Sequence, residues 1–173
     1  MERAIGSSVA LDKPEHYYAI EFNECVEDLL ELDDVQRLEE FTQHCNTSRF
    51  QHSINVSYYS YLLCKLFGLD YRSAARAGLL HDLFLYDWRM EKQPEGNHAQ
   101  AHPQVALRNA KKNVELNEVE ADAIIKHMWP VTINLPKYKE SYIVSLADKY
   151  CAVSEIFSSL YQGFKRNAGS FLF

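Results

Sequence analysis

The chain has 173 residues, of which 47% are hydrophobic and 24% charged, and a formal net charge of -6. That is the length of one domain with the composition of a soluble globular protein. The negative balance excludes the basic face of a general nucleic-acid binder, and no apolar run approaches the ~20 residues of a membrane span. The first residues include Glu2, Arg3, Asp12 and Lys13 and hold no apolar stretch of signal-peptide length. The four cysteines (Cys25, Cys45, Cys64, Cys151) are scattered without paired spacing. Such spacing predicts reduced thiols and a cytoplasmic protein rather than a disulfide framework.

Residues 1–16 read as a flexible leader. From residue 17 to about 45, apolar positions recur at helical spacing (Ile20, Val26, Leu29, Leu30, Val35, Leu38, Phe41), and Asp33-Asp34 divides two short helices. Asn46-Thr47-Ser48 is a turn or N-cap signal. A strong helix is predicted over 52–67. Gly68 then suits the position past the C-cap, and Asp70 the next N-cap. The following helix is predicted over 71–86, and the polar stretch 87–101 reads as a loop. Pro103 suits a first helical position and opens a helix to about Asn113. Asn117 caps another that runs to Met128 and is stopped by Pro130. After a short crossing loop at 131–136, the last long helix is predicted over 139–163, with a flexible tail at 164–173. Few segments resemble strands. The prediction is a single-domain, all-α bundle over 17–163.

His81-Asp82 closes the small-residue helix that contains Ala74, Ala75, Ala77 and Gly78. Burying an imidazole and a carboxylate there is costly unless a cation satisfies both. The tight turn at Gly68 makes the two helices antiparallel, so His52 and His81-Asp82 lie toward one end of the hairpin. Asp148 sits inside the last helix among apolar neighbours, where a lone carboxylate is equally costly. His102 and His127 fall at predicted helix ends, the places that most often face clefts. Four imidazoles and two carboxylates, with no thiolate, suit divalent iron, manganese, cobalt, nickel, zinc or magnesium. Six ligands are more than one open catalytic ion needs. They fit two ions sharing a carboxylate, which together activate water and clamp phosphate.

Other polar residues carry plainer readings. His16 and His44 fall outside the ordered pattern and are read as structural. His98, four residues before His102, stays open between a loop residue and a cleft residue. Tyr58, Tyr59 and Tyr61 suit core packing or a subunit interface, with base stacking as the alternative. Asp87 either bonds a ligand histidine or caps its loop. Glu24, Glu27, Asp28 and Glu31 form a solvated helix face.

The ordered set His52, His81-Asp82, Asp148 resembles the H…HD…D signature of the HD superfamily of metal-dependent phosphohydrolases. Arg49-Phe50-Gln51-His52-Ser53 and Leu146-Ala147-Asp148 are similar to the family's usual surroundings, and the likeness spans roughly 49–152. His102-Pro103 and His127 resemble the extra histidines of its dinuclear members. The resemblance implies a first ion on His52, His81, Asp82 and Asp148. It implies a second on His102 and His127, with Asp82 bridging. Arg49 and Lys149 would be phosphate partners beside the catalytic Asp82. The activity implied is hydrolysis of a phosphoester or phosphoanhydride in a small phosphorylated substrate, nucleotides included, by metal-activated water. Met128-Trp129-Pro130 departs from the cyclic-dinucleotide branch with its Gly-Tyr-Pro segment. Leu83 to Tyr86 lacks the acidic pair of the alarmone and many deoxynucleotide branches. The spacing is closer to small members that split symmetrical diadenosine tetraphosphate, although 87–101 does not match theirs. Two further functions fit the same residues: a non-catalytic, metal-dependent nucleotide-binding or regulatory module, and a di-iron oxygenase. A membrane or nucleic-acid partner is not expected, and a homo-oligomer stays open.

Overall fold

The computed structural model describes residues 3–7, 11, 17–90 and 97–169, with side chains through 165. It is all-α. The helices are α1 (Tyr17–Leu30), α2 (Asp33–Gln36) with a 3-10 turn at Arg37–Glu40, α3 (Arg49–Leu66), α4 (Tyr71–Leu80), α5 (His98–Asn113), α6 (Glu118–Lys126) and α7 (Lys139–Gly169). Between the 3-10 turn and α3 lies a small antiparallel hairpin, β1 (Thr42–His44) and β2 (Thr47–Ser48). Helical periodicity did not predict it. The chain reverses at Cys45, which takes a left-handed φ of 51°.

The α3–α4 hairpin is the centre of the molecule, with α1, α6 and α7 packed around it and α5 outside α6. The Ser48 side chain caps α3 by accepting from Gln51 N–H at 3.1 Å. Gly68 ends it with φ 65°, and Leu69 N–H bonds back to Cys64 O while Gly68 N–H bonds to Lys65 O. Asp70 caps α4 through Ser73 N–H. The small residues of α4 let the two helices touch. A Cβ on Gly78 would lie 2.8 Å from Ser57 Cα, so only glycine fits this crossing. Ser57 Oγ–H also donates to Ala75 O at 2.6 Å. Tyr58 and Tyr61 are buried against Phe22, which settles them as core residues.

Helix α4 stops at Leu80, short of the predicted residue 86. Beyond it the chain is held by Arg49, whose guanidinium binds Phe84 O at 2.5 Å and Tyr86 O at 3.4 Å. Helix α5 begins at His98, capped by Asn97, so Pro103 lies inside the helix and not at its start. Asn117 and Glu120 form a reciprocal capping box at the start of α6. Helix α7 continues past Gly163 to Gly169. Of the predicted leader, Ala4 and Leu11 are buried, and Ile5 N–H donates to Asn55 Oδ1 at 3.0 Å. Residues 1–2, 8–10, 12–16 (His16 among them), 91–96 and 170–173 lie outside the described residues. No helix among the described residues is long and apolar enough to cross a membrane.

Candidate metal centre

Five elements end or cross at one place. The first turns of α3 bring His52. The residue that closes α4 is His81, with Asp82 next to it; His127 closes α6 in the same way. Helix α5 brings His102, and α7 brings Asp148 and Lys149. The six predicted ligands therefore converge, and all but Asp148 are buried.

The hydrogen bonds of the imidazoles settle which nitrogen faces the centre. Nδ1 of His81 donates to Gly78 O at 2.8 Å, that of His102 to His98 O at 2.6 Å, and that of His127 to Ile124 O at 2.8 Å. His52 Nδ1 faces both carboxylate oxygens of Glu155 at 3.1 Å. Each Nδ1 meets an acceptor, so each Nε2 points inward. Orientation by a partner on the far nitrogen is how metal-ligating histidines are held.

The inward atoms are close together. His52 Nε2 is 3.1 Å and His81 Nε2 3.8 Å from Asp148 Oδ1. Asp82 turns Oδ2 toward His81 Nε2 at 3.6 Å and Oδ1 toward His102 and His127 Nε2 at 3.3 and 3.6 Å. The ligand atoms of His52, His81 and Asp148 lie within 4.8 Å of one another, as do those of His81, Asp82 and His127. Either group can hold a divalent ion. Two observations favour a cation. His81 Nε2 and Asp82 Oδ1 are buried without a hydrogen-bond partner. In addition, the Nε2 atoms of His102 and His127 face each other at 2.8 Å, a contact that needs a shared proton or a metal.

The protonation states suit ligation. Burial keeps His81 below its ordinary imidazole pKa, and burial with the adjacent imidazoles pushes His127 down to about 3. Burial opposes ionisation of Asp82, but His81, His102 and His127 hold its carboxyl below the usual range. Asp148 is held low against its burial by His52. Neutral imidazoles beside ionised carboxylates are the state a metal requires. His52 alone runs the other way. Burial opposes its charge, yet hydrogen bonds to Asp148 and Glu155 push it up to about 10, so in the metal-free protein its Nε2 carries a proton that an ion would displace.

A cavity of about 230 Å³ opens over these groups. Asp82, His102, His127, Asp148 and Lys149 line it, together with Trp88 and His98. The Lys149 ammonium reaches His127 O at 2.5 Å and Asp148 Oδ2 at 3.1 Å. The Trp88 and His98 rings stack with centroids 4.7 Å apart, which resolves His98 as a cleft residue. Asp87 accepts from Arg89 N–H and serves its own turn.

Arg49 does not reach the cavity. It is fully buried, its guanidinium 3.5 Å from the centroid of Phe84, and its donors are taken by Phe84 O, Tyr86 O and Gln43 Oε1. Gln43 in turn donates to Asp82 Oδ2 at 2.5 Å. The expected phosphate partner is thus turned away from the cavity, and its link to Asp82 runs through Gln43.

Sequence reasoning missed Glu155, Gln43 and the approach of His44. Glu155 had a signal: it lies two helical turns beyond Asp148, another lone carboxylate on the same face of α7. Gln43 had none, because the unpredicted hairpin carries it. His44, read as structural, lines the cavity and packs edge-on against His52 at 5.3 Å.

Residues 49–153 match the family model of the HD domain. No curated protein and no solved structure matches the chain.

Proposed function

Since the chain belongs to the HD domain family, we propose that it is a phosphohydrolase dependent on divalent metal and acting on a small phosphorylated substrate. The observation that carries this reading is the anchoring of four histidines by Nδ1, which turns four Nε2 atoms toward Asp82 and Asp148. His52, His81 and Asp148 would hold one ion. His102 and His127 would hold another, with Asp82 between them. Divalent ions supply Lewis acidity and make water nucleophilic at neutral pH.

The chain's own residues do the rest. Glu155 keeps the His52 ring turned, and Gln43, braced by Arg49, fixes the rotation of the Asp82 carboxylate. Lys149 lines the cavity, where its charge offsets that of a phosphoryl group. Trp88 and His98 add aromatic surface to the cavity lining beside these groups, so a nucleotide fits this reading. A formal charge of -6 favours such a substrate over a nucleic-acid polymer. The four free cysteines support a reducing, cytoplasmic setting.

The test is elemental analysis of the purified protein together with phosphate release from a panel of phosphomonoesters, nucleotides and dinucleoside polyphosphates. One or two divalent ions per chain and metal-dependent release on at least one class are expected. A protein that retains no metal and releases no phosphate with any added divalent ion overturns the proposal.

A further inference from the structure

Helix α7 is 31 residues long, which at ~1.5 Å per residue is about 46 Å. Its first half is embedded: Val144, Ala147, Cys151 and Glu155 are buried. After Glu155 no described side chain is buried, so the second half projects from the body. A projecting helix has little to stabilise it, because helices in water depend on packing of an apolar face. This one carries such a face. Leu146, Tyr150, Val153, Phe157, Leu160 and Phe164 are all exposed, from 52% at Val153 to 72% at Phe164. Their spacing alternates four and three residues without a break. That is the a/d repeat of a helix–helix seam, and Ile156 and Tyr161, also exposed, flank it.

We propose that this face is the dimer interface between two copies of the chain, with their α7 helices antiparallel about a two-fold axis near Phe157. Three observations choose this occupant. The partner the repeat calls for is another helix with the same repeat, and α7 supplies one. Tyr150 and Phe164 each lie seven residues from Phe157, so an antiparallel pair sets each Tyr150 against the other copy's Phe164. The projecting half of one helix then covers the exposed half that the other keeps on its body, and both problems are solved by one symmetric contact. The size also fits. At roughly 200 Å² per large side chain, the six expose on the order of 700 Å². That exceeds the ~300–600 Å² patch of a typical monomer and approaches the ~800 Å² a stable complex buries on each side. None of the six is charged, so like charges do not meet across the seam.

The experiment is sedimentation equilibrium of the full chain at micromolar concentration, for wild type, Phe157→Glu and Phe164→Glu. Wild type is expected at about 40 kDa, twice the chain mass of 20.1 kDa. Both variants are expected at the monomer mass, with helical circular dichroism kept, since both side chains are exposed in the monomer. A monomeric wild type overturns the proposal, whether the face is bare or covered by the chain's own ends. A dimer that survives both variants overturns it as well. Orientation is read by mixing Tyr150→Cys with Phe164→Cys, each in a Cys45→Ser background. Oxidation should cross-link the mixture and neither variant alone; cross-linking within either variant alone overturns the antiparallel arrangement.

Discussion

Helix α3 carries a polar cluster at each end, and only one of them satisfies itself. At the C-terminal end, Tyr61 O–H and the Lys65 ammonium both donate to Glu21 Oε2, and Tyr71 O–H donates to Oε1 at 3.3 Å. The Lys65 ammonium also lies within 6 Å of the ring centroids of Tyr17, Tyr18, Tyr61 and Tyr71. One charge meets one countercharge, and donors saturate the acceptor. At the N-terminal end, four imidazoles and two carboxylates converge on one point, with His81 Nε2 and Asp82 Oδ1 left unpartnered. The first cluster is complete as folded. The second keeps buried donor atoms that the fold does not use, and that surplus distinguishes a candidate ligand site from a structural network of similar composition.

The sharpest break in this comparison is Asp82→Ala. Removing the carboxylate between the two imidazole sets should abolish metal retention in elemental analysis and, with it, phosphate release. Full turnover by this variant would show that the unpartnered oxygen has no part in the chemistry. In wild type, added divalent metal at a hundred times its Kd should stabilise the fold by about 2.7 kcal/mol in denaturant titration, and the gain should vanish in Asp82→Ala.

Alkaline pH separates metal-free from metal-bound protein. The His52 pKa is raised to about 10, against 6.5 for an unperturbed imidazole. A raised pKa makes the contribution complete below pH 6.5 and removes it progressively up to about 10. Metal-free protein should therefore lose stability across that window, by up to about 5 kcal/mol. Metal-loaded protein should not, because its His52 Nε2 no longer carries a proton. Identical pH profiles for the two forms would place His52 outside the site.

Glu155→Gln sharpens the same end. It weakens the acceptor on His52 Nδ1 without touching the cavity, and substitutions of this kind cost about 10–100-fold in metal affinity. Metal titration should show that loss, and the alkaline fall of the metal-free variant should start at lower pH. Affinity within twofold of wild type would reduce Glu155 to a packing residue.

Legibility in the sequence followed the range of the interactions. The C-terminal end of α3, the start of α4 and the capping of α6 were readable because Gly68, Asp70 and Asn117 act on backbone groups within a few residues, whereas α3 starts at Arg49, three residues before the predicted 52. The convergence of His52 with His81-Asp82 was readable because a tight turn fixes an antiparallel pair. Three features were not. The path of the chain after α4 is held by Arg49, 35 residues upstream of Phe84. Pro103 has the signature of a first helical position, yet Asn97 captures the cap and starts α5 earlier. Gln43 reaches Asp82 only because a hairpin with no strand pattern folds over the site. Arg49 illustrates the limit best. Its place beside His52 suggested a phosphate partner, but its exposure depends on Phe41, Phe84 and Tyr86, none of which its neighbourhood in the sequence reveals.

The smallest effect comes from the other end of α3. Glu21→Gln keeps the side chain's size and one acceptor oxygen but removes the charge that Lys65 faces. Lys65 is about a quarter exposed, so water takes up part of the loss, and the cost should be about 1 kcal/mol in denaturant titration. Metal affinity should not change, because no ligand touches this cluster and the cap at Ser48 holds the N-terminal end of α3 independently. A large loss of metal binding in Glu21→Gln would mean that α3 transmits strain from one cluster to the other. The saturated cluster would then be part of the site rather than its structural counterpart.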